Sequence, residues 1–126
     1  MNNTRILFVD DEAALVQVGR ATLQRLGYQV FICTSSAAAL ETFRAAPHAF
    51  DLVITDRTMP TLTGEALIRE LRQIRPDIPV ILCTGFSNPV TPEQLRALEV
   101  DAFLLKPVTA SEWARMIRQV LARAAD

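Results

Sequence analysis

Short apolar runs alternate with longer amphipathic ones five times along the chain. Ile6-Leu7-Phe8-Val9 is a fully apolar strand candidate. The segment after it places Leu15, Val18, Thr22 and Leu26 at the three-to-four spacing of a buried helical stripe. Gly27 follows where a helix C-terminus favours positive φ. A second strand spans 28–33, and Ser35 or Ser36 caps a helix that turns Leu40 and Phe43 inward. Leu52-Val53-Ile54 is the third strand. The third helix follows Gly64, carries Leu67, Leu71 and Ile74, and stops before Pro76. The fourth strand runs over 79–83. Thr91-Pro92-Glu93-Gln94 opens the fourth helix with a capping residue, a proline at the first helical position and a glutamine three after the cap. Ala102-Phe103-Leu104-Leu105 is the fifth strand. Thr109 and Glu112 form a second capping box, opening a last helix that buries Trp113, Ile117, Val120 and Leu121.

Strand runs without polar alternation belong to a sheet covered on both faces. Strict alternation of strands and helices implies parallel strands joined by right-handed crossovers. The pattern therefore predicts an α/β fold, a doubly wound five-stranded parallel sheet in a three-layer sandwich. The 126 residues suit one domain, over 1–126, with no repeat or linker to interrupt it.

Composition narrows the function classes. Half of the residues are hydrophobic and 21% charged, which favours a packed core over disorder. The net charge of -1, without a basic block, disfavours direct nucleic-acid contact. Arg69, Arg72 and Arg75, like Arg115 and Arg118, fall at helical spacings and read as solvated helix surface. Cys33 and Cys83 sit in separate apolar runs, as buried core thiols rather than a metal or redox pair. His48 has no ligand-spaced companion and reads as a loop histidine. Met1-Asn2-Asn3-Thr4-Arg5 leads straight into a strand, which predicts no signal peptide. No apolar stretch approaches the roughly 18 residues of a membrane span, so a cytoplasmic location without membrane contact is expected.

Candidate chemistry collects at the strand ends. Doubly wound sheets bind ligands beyond the carboxyl ends of their strands. Asp10, Asp11 and Glu12 follow the first strand, Asp56 the third, Thr84 and Gly85 the fourth, and Lys106 and Pro107 the fifth. Taken singly, the acid pair fits a helix start, Asp56 a loop cap and Lys106 an ordinary surface position. Those separate readings leave unexplained why all fall at one edge of the sheet. Clustered carboxylates repel unless a cation is supplied, and one lysine cannot neutralise them all. A hard divalent cation with oxygen ligands can, and Mg²⁺ suits such a shell. A carboxylate and a lysine facing an open position on that ion are arranged to receive a phosphoryl group.

At these residues the sequence resembles the response-regulator receiver family of two-component signalling. The motifs are Leu7-Phe8-Val9-Asp10-Asp11-Glu12, Val53-Ile54-Thr55-Asp56-Arg57-Thr58-Met59-Pro60, Gly64, Thr84 at the end of the fourth strand, and Phe103-Leu104-Leu105-Lys106-Pro107. The resemblance spans essentially the whole chain. It implies a flavodoxin-like strand order 2-1-3-4-5. It also implies that Asp56 takes phosphate from the phosphohistidine of a histidine kinase or histidine phosphotransfer protein. Asp11 and Asp56 would bind Mg²⁺ directly, Asp10 partly through water, and the Thr58 carbonyl would add a ligand. Lys106 would pair with the phosphoryl oxygens and Thr84 would hydrogen-bond them. Phe103 would turn inward as Thr84 moves, switching the face of the fourth helix, fifth strand and fifth helix, where an effector or a second copy would dock. The Lys106-Pro107 bond is cis in similar proteins. The domain would thus be a phosphoacceptor that catalyses only its own phosphorylation and slow dephosphorylation, rather than an enzyme.

The sequence also departs from the family. Thr63 precedes Gly64 where the family often has Asp, and Glu99-Val100 replace a small Gly-Ala pair before the fifth strand. Thr84-Gly85-Phe86-Ser87 is similar to receivers of hybrid histidine kinases. The last helix runs almost to Asp126, so no output domain is expected after it, and a stand-alone receiver and a relay or phosphate-sink receiver of a hybrid kinase are both expected readings. A haloacid-dehalogenase-like phosphatase would carry its nucleophile after the first strand with a second acid two residues on, whereas Asp10 and Asp11 are adjacent. A flavodoxin would need a hydroxyl- and glycine-rich phosphate loop where the acids stand. A degenerate receiver would have lost an acid, the threonine or the lysine.

Overall fold

Alternating side chains along each strand divide the core in two. The structure is a computed structural model describing residues 3–85 and 91–125. Its elements are β1 (Arg5–Val9), α1 (Ala13–Arg25), β2 (Gln29–Cys33), α2 (Ser36–Ala45), β3 (Leu52–Asp56), α3 (Gly64–Ile74), β4 (Val80–Thr84), α4 (Pro92–Leu98), β5 (Ala102–Leu105) and α5 (Ala110–Ala125). All strand pairs are parallel, in the order β2-β1-β3-β4-β5. Ile6, Phe8, Ile54, Ile81 and Leu104 face α1 and α5, where Val16, Leu23, Trp113, Ile117 and Val120 close over them. Leu7, Val9, Val53, Val80 and Leu82 face the opposite way, under Phe43 of α2, Leu67 and Leu71 of α3 and Leu98 of α4. Burying each such aliphatic side chain contributes about 1.5–3 kcal/mol, so the two apolar layers dominate the fold's stability. The central strands β3 and β4 are buried throughout, while edge strand β2 is only half covered and leaves Phe31 42% exposed.

The helix ends follow their capping chemistry. Ser35, rather than Ser36, caps α2 by accepting from the Ala38 N–H at 3.1 Å. Thr91 and Gln94 exchange hydrogen bonds at 2.9 and 3.1 Å, and Thr109 and Glu112 do so at 3.1 Å in both directions. Thr63, the departure from the family pattern, caps α3 by accepting from Ala66 N–H. Gly27 takes the positive φ expected after α1, at 100°.

Three expectations need correction. The buried stripe of α1 is Val16, Gly19 and Leu23, and the Leu15, Val18, Thr22 and Leu26 stripe is rotated outward, with Val18 65% exposed. Phe8 explains the choice of face: a Cβ on Gly19 would lie 2.8 Å from its ring, so only the glycine-bearing side seats against β1. Arg72 and Arg75 are not solvated surface. Arg72 donates to Glu99 O at 3.1 Å and pairs with Asp101 at 3.3 Å, while Arg75 donates to Phe50 O at 2.6 Å and Pro47 O at 3.1 Å. Cys83 is buried, but Cys33 is only half-buried beside the Thr42 hydroxyl. Of the Thr84-Gly85-Phe86-Ser87 stretch, Phe86 and Ser87 lie outside the described residues.

Glu99 is where the departure before the fifth strand has a structural consequence. It lies at φ 55°, in the left-handed region that disfavours an L side chain, while its carbonyl is held by Arg72. Glu99→Gly keeps that carbonyl and removes the strain, offset in part by the entropy of the unfolded glycine. It is expected to stabilise the domain by about 1 kcal/mol in urea or thermal unfolding. A destabilised variant would show that the Glu99 side chain contributes more than its backbone strain removes.

Candidate phosphoacceptor site

The parallel strands deliver their last residues to one edge, each fixed by a ladder hydrogen bond. Asp10 N–H donates to Cys33 O at 3.2 Å, Arg57 N–H to Cys83 O at 2.8 Å, and Lys106 N–H to Thr84 O at 2.8 Å. Asp10 is buried and Asp11 exposed just after β1, and Asp56 is the buried last residue of β3. One carboxylate oxygen from each of the three lies within 4.8 Å of the others. Lys106 joins the cluster through Nζ, 2.7 Å from Asp10 Oδ2 and 3.0 Å from Asp56 Oδ1. The other Asp10 oxygen accepts from Glu12 N–H at 3.0 Å, so that carboxylate is held from both sides. Lys106 is the only lysine in the chain.

The remaining expected residues take distinct places. Thr84 ends β4 and is buried. Thr58 is exposed in the loop between β3 and α3. Phe103 is half-buried on the α2–α3–α4 side of the sheet, and Lys106-Pro107 is a cis peptide bond with Pro107 exposed. Three further contacts shape the site. Gly64 sits so close to the acceptor that a Cβ would be 2.1 Å from the Asp56 carbonyl oxygen. Buried Arg57 pairs with Glu65 at 2.9 Å, and buried Ser36 donates to the Leu62 carbonyl at 2.5 Å. The position of Gly64, eight residues past Asp56, was the legible signal. The other two are pairings between residues that no local pattern connects.

The charges are unequal. Three carboxylates against one ammonium leave the cluster negative. Burial raises the Asp56 carboxyl above the usual carboxylate range. Lys106 pulls it back by hydrogen bond and charge, and Asp10 and Asp11 push it further up. For Lys106, burial lowers the pKa, but hydrogen bonds and attraction from Asp10 and Asp56 outweigh it and leave the pKa raised. Cys83, fully enclosed beside the cluster, is pushed up to about 12 and stays a thiol. A groove of about 340 Å³ adjoins the acids, shared by Asp10, Asp56 and Lys106 with Leu15, Val18 and Trp113.

With its folded-state pKa raised, Asp56 binds its proton more tightly in the folded chain than in the unfolded one. Its contribution to stability is then fully present below the ordinary carboxyl value of 3.8 and is lost as pH rises through the elevated folded value. In chelator-treated protein, Asp56→Asn is therefore expected to raise the Tm at about pH 7, with the gain shrinking towards about pH 4. Melting curves across that range test this, and an equal gain at both ends would exclude the buried charge as its cause.

Comparison with known proteins agrees with this geometry. A family model described as the response regulator receiver domain matches residues 6–118. The chain is 34% identical over 116 residues to the sensor kinase CckA of Brucella abortus, covering 92% of this chain and 12% of that protein. It is 33% identical to the probable transcriptional regulator ycf27 of Porphyridium aerugineum, covering 98% of this chain and 50% of the relative. The chain thus spans half or less of these relatives' lengths. A crystal structure of a response regulator receiver domain protein from Clostridium thermocellum superposes with a TM-score of 0.91 at 31% identity, covering 97% of each chain. A profile match over most of the chain, a matching strand order and this neighbour together show that the chain belongs to the response regulator receiver domain family, which comprises two-component signalling domains rather than classical enzymes.

Proposed function

We propose that residues 1–126 form one cytoplasmic receiver domain that accepts a phosphoryl group on Asp56 from a phosphohistidine. The observation that carries this reading is the packing of three carboxylate oxygens within 4.8 Å, bridged by a single ammonium and set at the carboxyl edge of the sheet. That donor set is all hard oxygen and negative, which fits Mg²⁺. Asp11 and Asp56 would hold the ion directly, Asp10 partly through water, with the Thr58 carbonyl as a further ligand. When bound, the ion supplies neutralisation of carboxylate and phosphoryl charge.

The rest falls to the chain's own groups. The Asp56 carboxylate attacks phosphorus, the phosphorus–nitrogen bond to the donor imidazole breaks, and an acyl phosphate remains on Asp56. Lys106 Nζ, already 3.0 Å from Asp56, turns to the phosphoryl oxygens. The Thr84 hydroxyl hydrogen-bonds them, and Phe103 on neighbouring β5 follows into the space it leaves. This biases the α4–β5–α5 face towards an effector or a second copy. On the other side, exposed Leu15 and Val18 border the groove that holds Asp56, which supports docking of a histidine kinase or phosphotransfer protein there.

Incubation with acetyl phosphate and Mg²⁺ is expected to add one phosphoryl group, and Asp56→Asn to abolish it. Undiminished labelling of Asp56→Asn at another residue would overturn the assignment.

A second reading, a relay or phosphate sink without its own output, draws support from the similarity to a sensor kinase. Beryllofluoride with Mg²⁺ separates the two. A switching domain is expected to change its amide chemical shifts across α4, β5 and α5, and tight binding of the mimic without such changes would favour the relay.

A further inference from the structure

The loop from residue 57 to 63 leaves the acceptor strand and returns to α3, and its conformation is strained. Thr61 lies at φ 71°, in the left-handed region, and Leu62 N–H turns back onto Pro60 O at 2.8 Å. The ends are well held. Arg57 N–H is tied to Cys83 O, Gly64 N–H donates to Arg57 O at 2.9 Å, and Thr63 caps α3. Buried Met59 and half-buried Leu62 pack into the α2–α3 core cluster with Ala39 and Phe43. Apolar packing restrains side chains but leaves the orientation of a peptide plane free, and a strained loop persists only where its surroundings over-determine it.

Ser36 supplies that restraint from another element. It is the first residue of α2 and is 2% exposed. It is not the capping residue, because Ser35 already accepts from Ala38 N–H. Its Oγ instead donates to Leu62 O at 2.5 Å, across 26 residues of sequence. A buried hydroxyl needs a partner, and the carbonyl of half-buried Leu62 supplies it. The hydrogen bond fixes the Leu62 peptide plane at the α3 end of the segment that carries the Thr58 carbonyl, four residues further along the chain.

We propose that Ser36 is a positioning residue for the acceptor loop, holding segment 58–63 in the orientation in which its backbone completes the cation site beside Asp56. This rests on the reading of Thr58 as a carbonyl ligand. Ser36 touches neither the cation nor the phosphoryl group and acts through the loop.

Adjacent Ser35 provides the control. Ser35→Ala removes a helix cap at the same end of the same helix and lowers stability in the ordinary way. It leaves Leu62 O satisfied, so Mg²⁺ affinity, read by calorimetric titration, is expected to stay at the wild-type value. Ser36→Ala, and the nearly isosteric Ser36→Cys, are expected to weaken Mg²⁺ binding about fivefold, the scale of one lost neutral hydrogen bond. Ser36→Thr, which retains a hydroxyl, is expected to restore it. In the absence of Mg²⁺, hydrogen exchange at the Leu62 and Gly64 amides is expected to quicken in Ser36→Cys and not in Ser35→Ala. Wild-type Mg²⁺ affinity in both Ser36→Ala and Ser36→Cys, or a loss no larger than that of Ser35→Ala, would overturn the proposal while leaving the phosphoacceptor reading intact. A wild-type protein that binds no Mg²⁺ would overturn the cation reading and this proposal together.

Discussion

Crowding of like charge at the end of a buried sheet is the constraint on which the rest of this domain depends. Parallel strands all finish at the same edge, so whatever follows them is forced together. Here that is Asp10, Asp11 and Asp56, with carboxylate oxygens within 4.8 Å, two of the three residues being buried. Lys106 offsets part of the repulsion by bridging Asp10 and Asp56, while burial, with the neighbouring acids adding to it, keeps the Asp56 pKa raised. An apolar cluster at these positions would make a more stable sheet edge. Under the function proposed for the domain, the crowded edge serves a cationic or phosphoryl partner, as functional sites commonly do.

Such an edge holds only if the scaffold beneath it is rigid. Two apolar layers, one on each face of the sheet, fix the strands in register. The opposite end is tied by polar links centred on Asp101. Its carboxylate accepts from Val80 N–H at 2.7 Å and pairs with Arg72 of α3, while its carbonyl accepts from Arg123 of α5 at 2.9 Å. These contacts join α3, β4, β5 and α5 at the end remote from the acids. Rearrangement at the acid end would therefore act against a fixed base, which lets a small local displacement become a directed change of surface.

Most of the architecture was legible because it rests on local chemistry. Both capping boxes, the glycine after α1, and the order of strands and helices follow from spacing and residue type. The acid edge was legible for a topological reason, since a strand-following residue in a parallel sheet has one destination. The rotation of α1 was not. Its apolar residues form two adjacent stripes that both satisfy helical periodicity, and the choice between them lies in a contact between Gly19 and Phe8. A glycine inside a helix is unfavourable by roughly 1 kcal/mol relative to alanine, and that penalty was the available clue that a neighbour needed the space. The inter-element ties of Arg72, Arg75 and Ser36 were not legible, because Glu99 and Asp101, Pro47 and Phe50, and Leu62 lie 25 or more residues away, where no periodic pattern reaches.

The choice of cation is informative as well. Of thirteen basic residues, twelve are arginine, and those at the fold's joints use the planar fork, as Arg72 and Arg75 do in each reaching more than one acceptor. That fork suits a permanent tie, because its donors are locked in one plane and several can be engaged at once. Between Asp10 and Asp56 stands instead the single lysine, whose compact ammonium sits on a flexible stem with three rotatable donors. Such a group can leave one carboxylate oxygen for a phosphoryl oxygen without moving the backbone, whereas a guanidinium bound to both acids would have to break a bidentate geometry. In the phosphorylated state proposed for the domain, Lys106 keeps its hold on Asp10 while its contact with Asp56 passes to the new group. The ion pair seen here is on this view half permanent and half exchangeable, and the exchangeable half faces the acceptor.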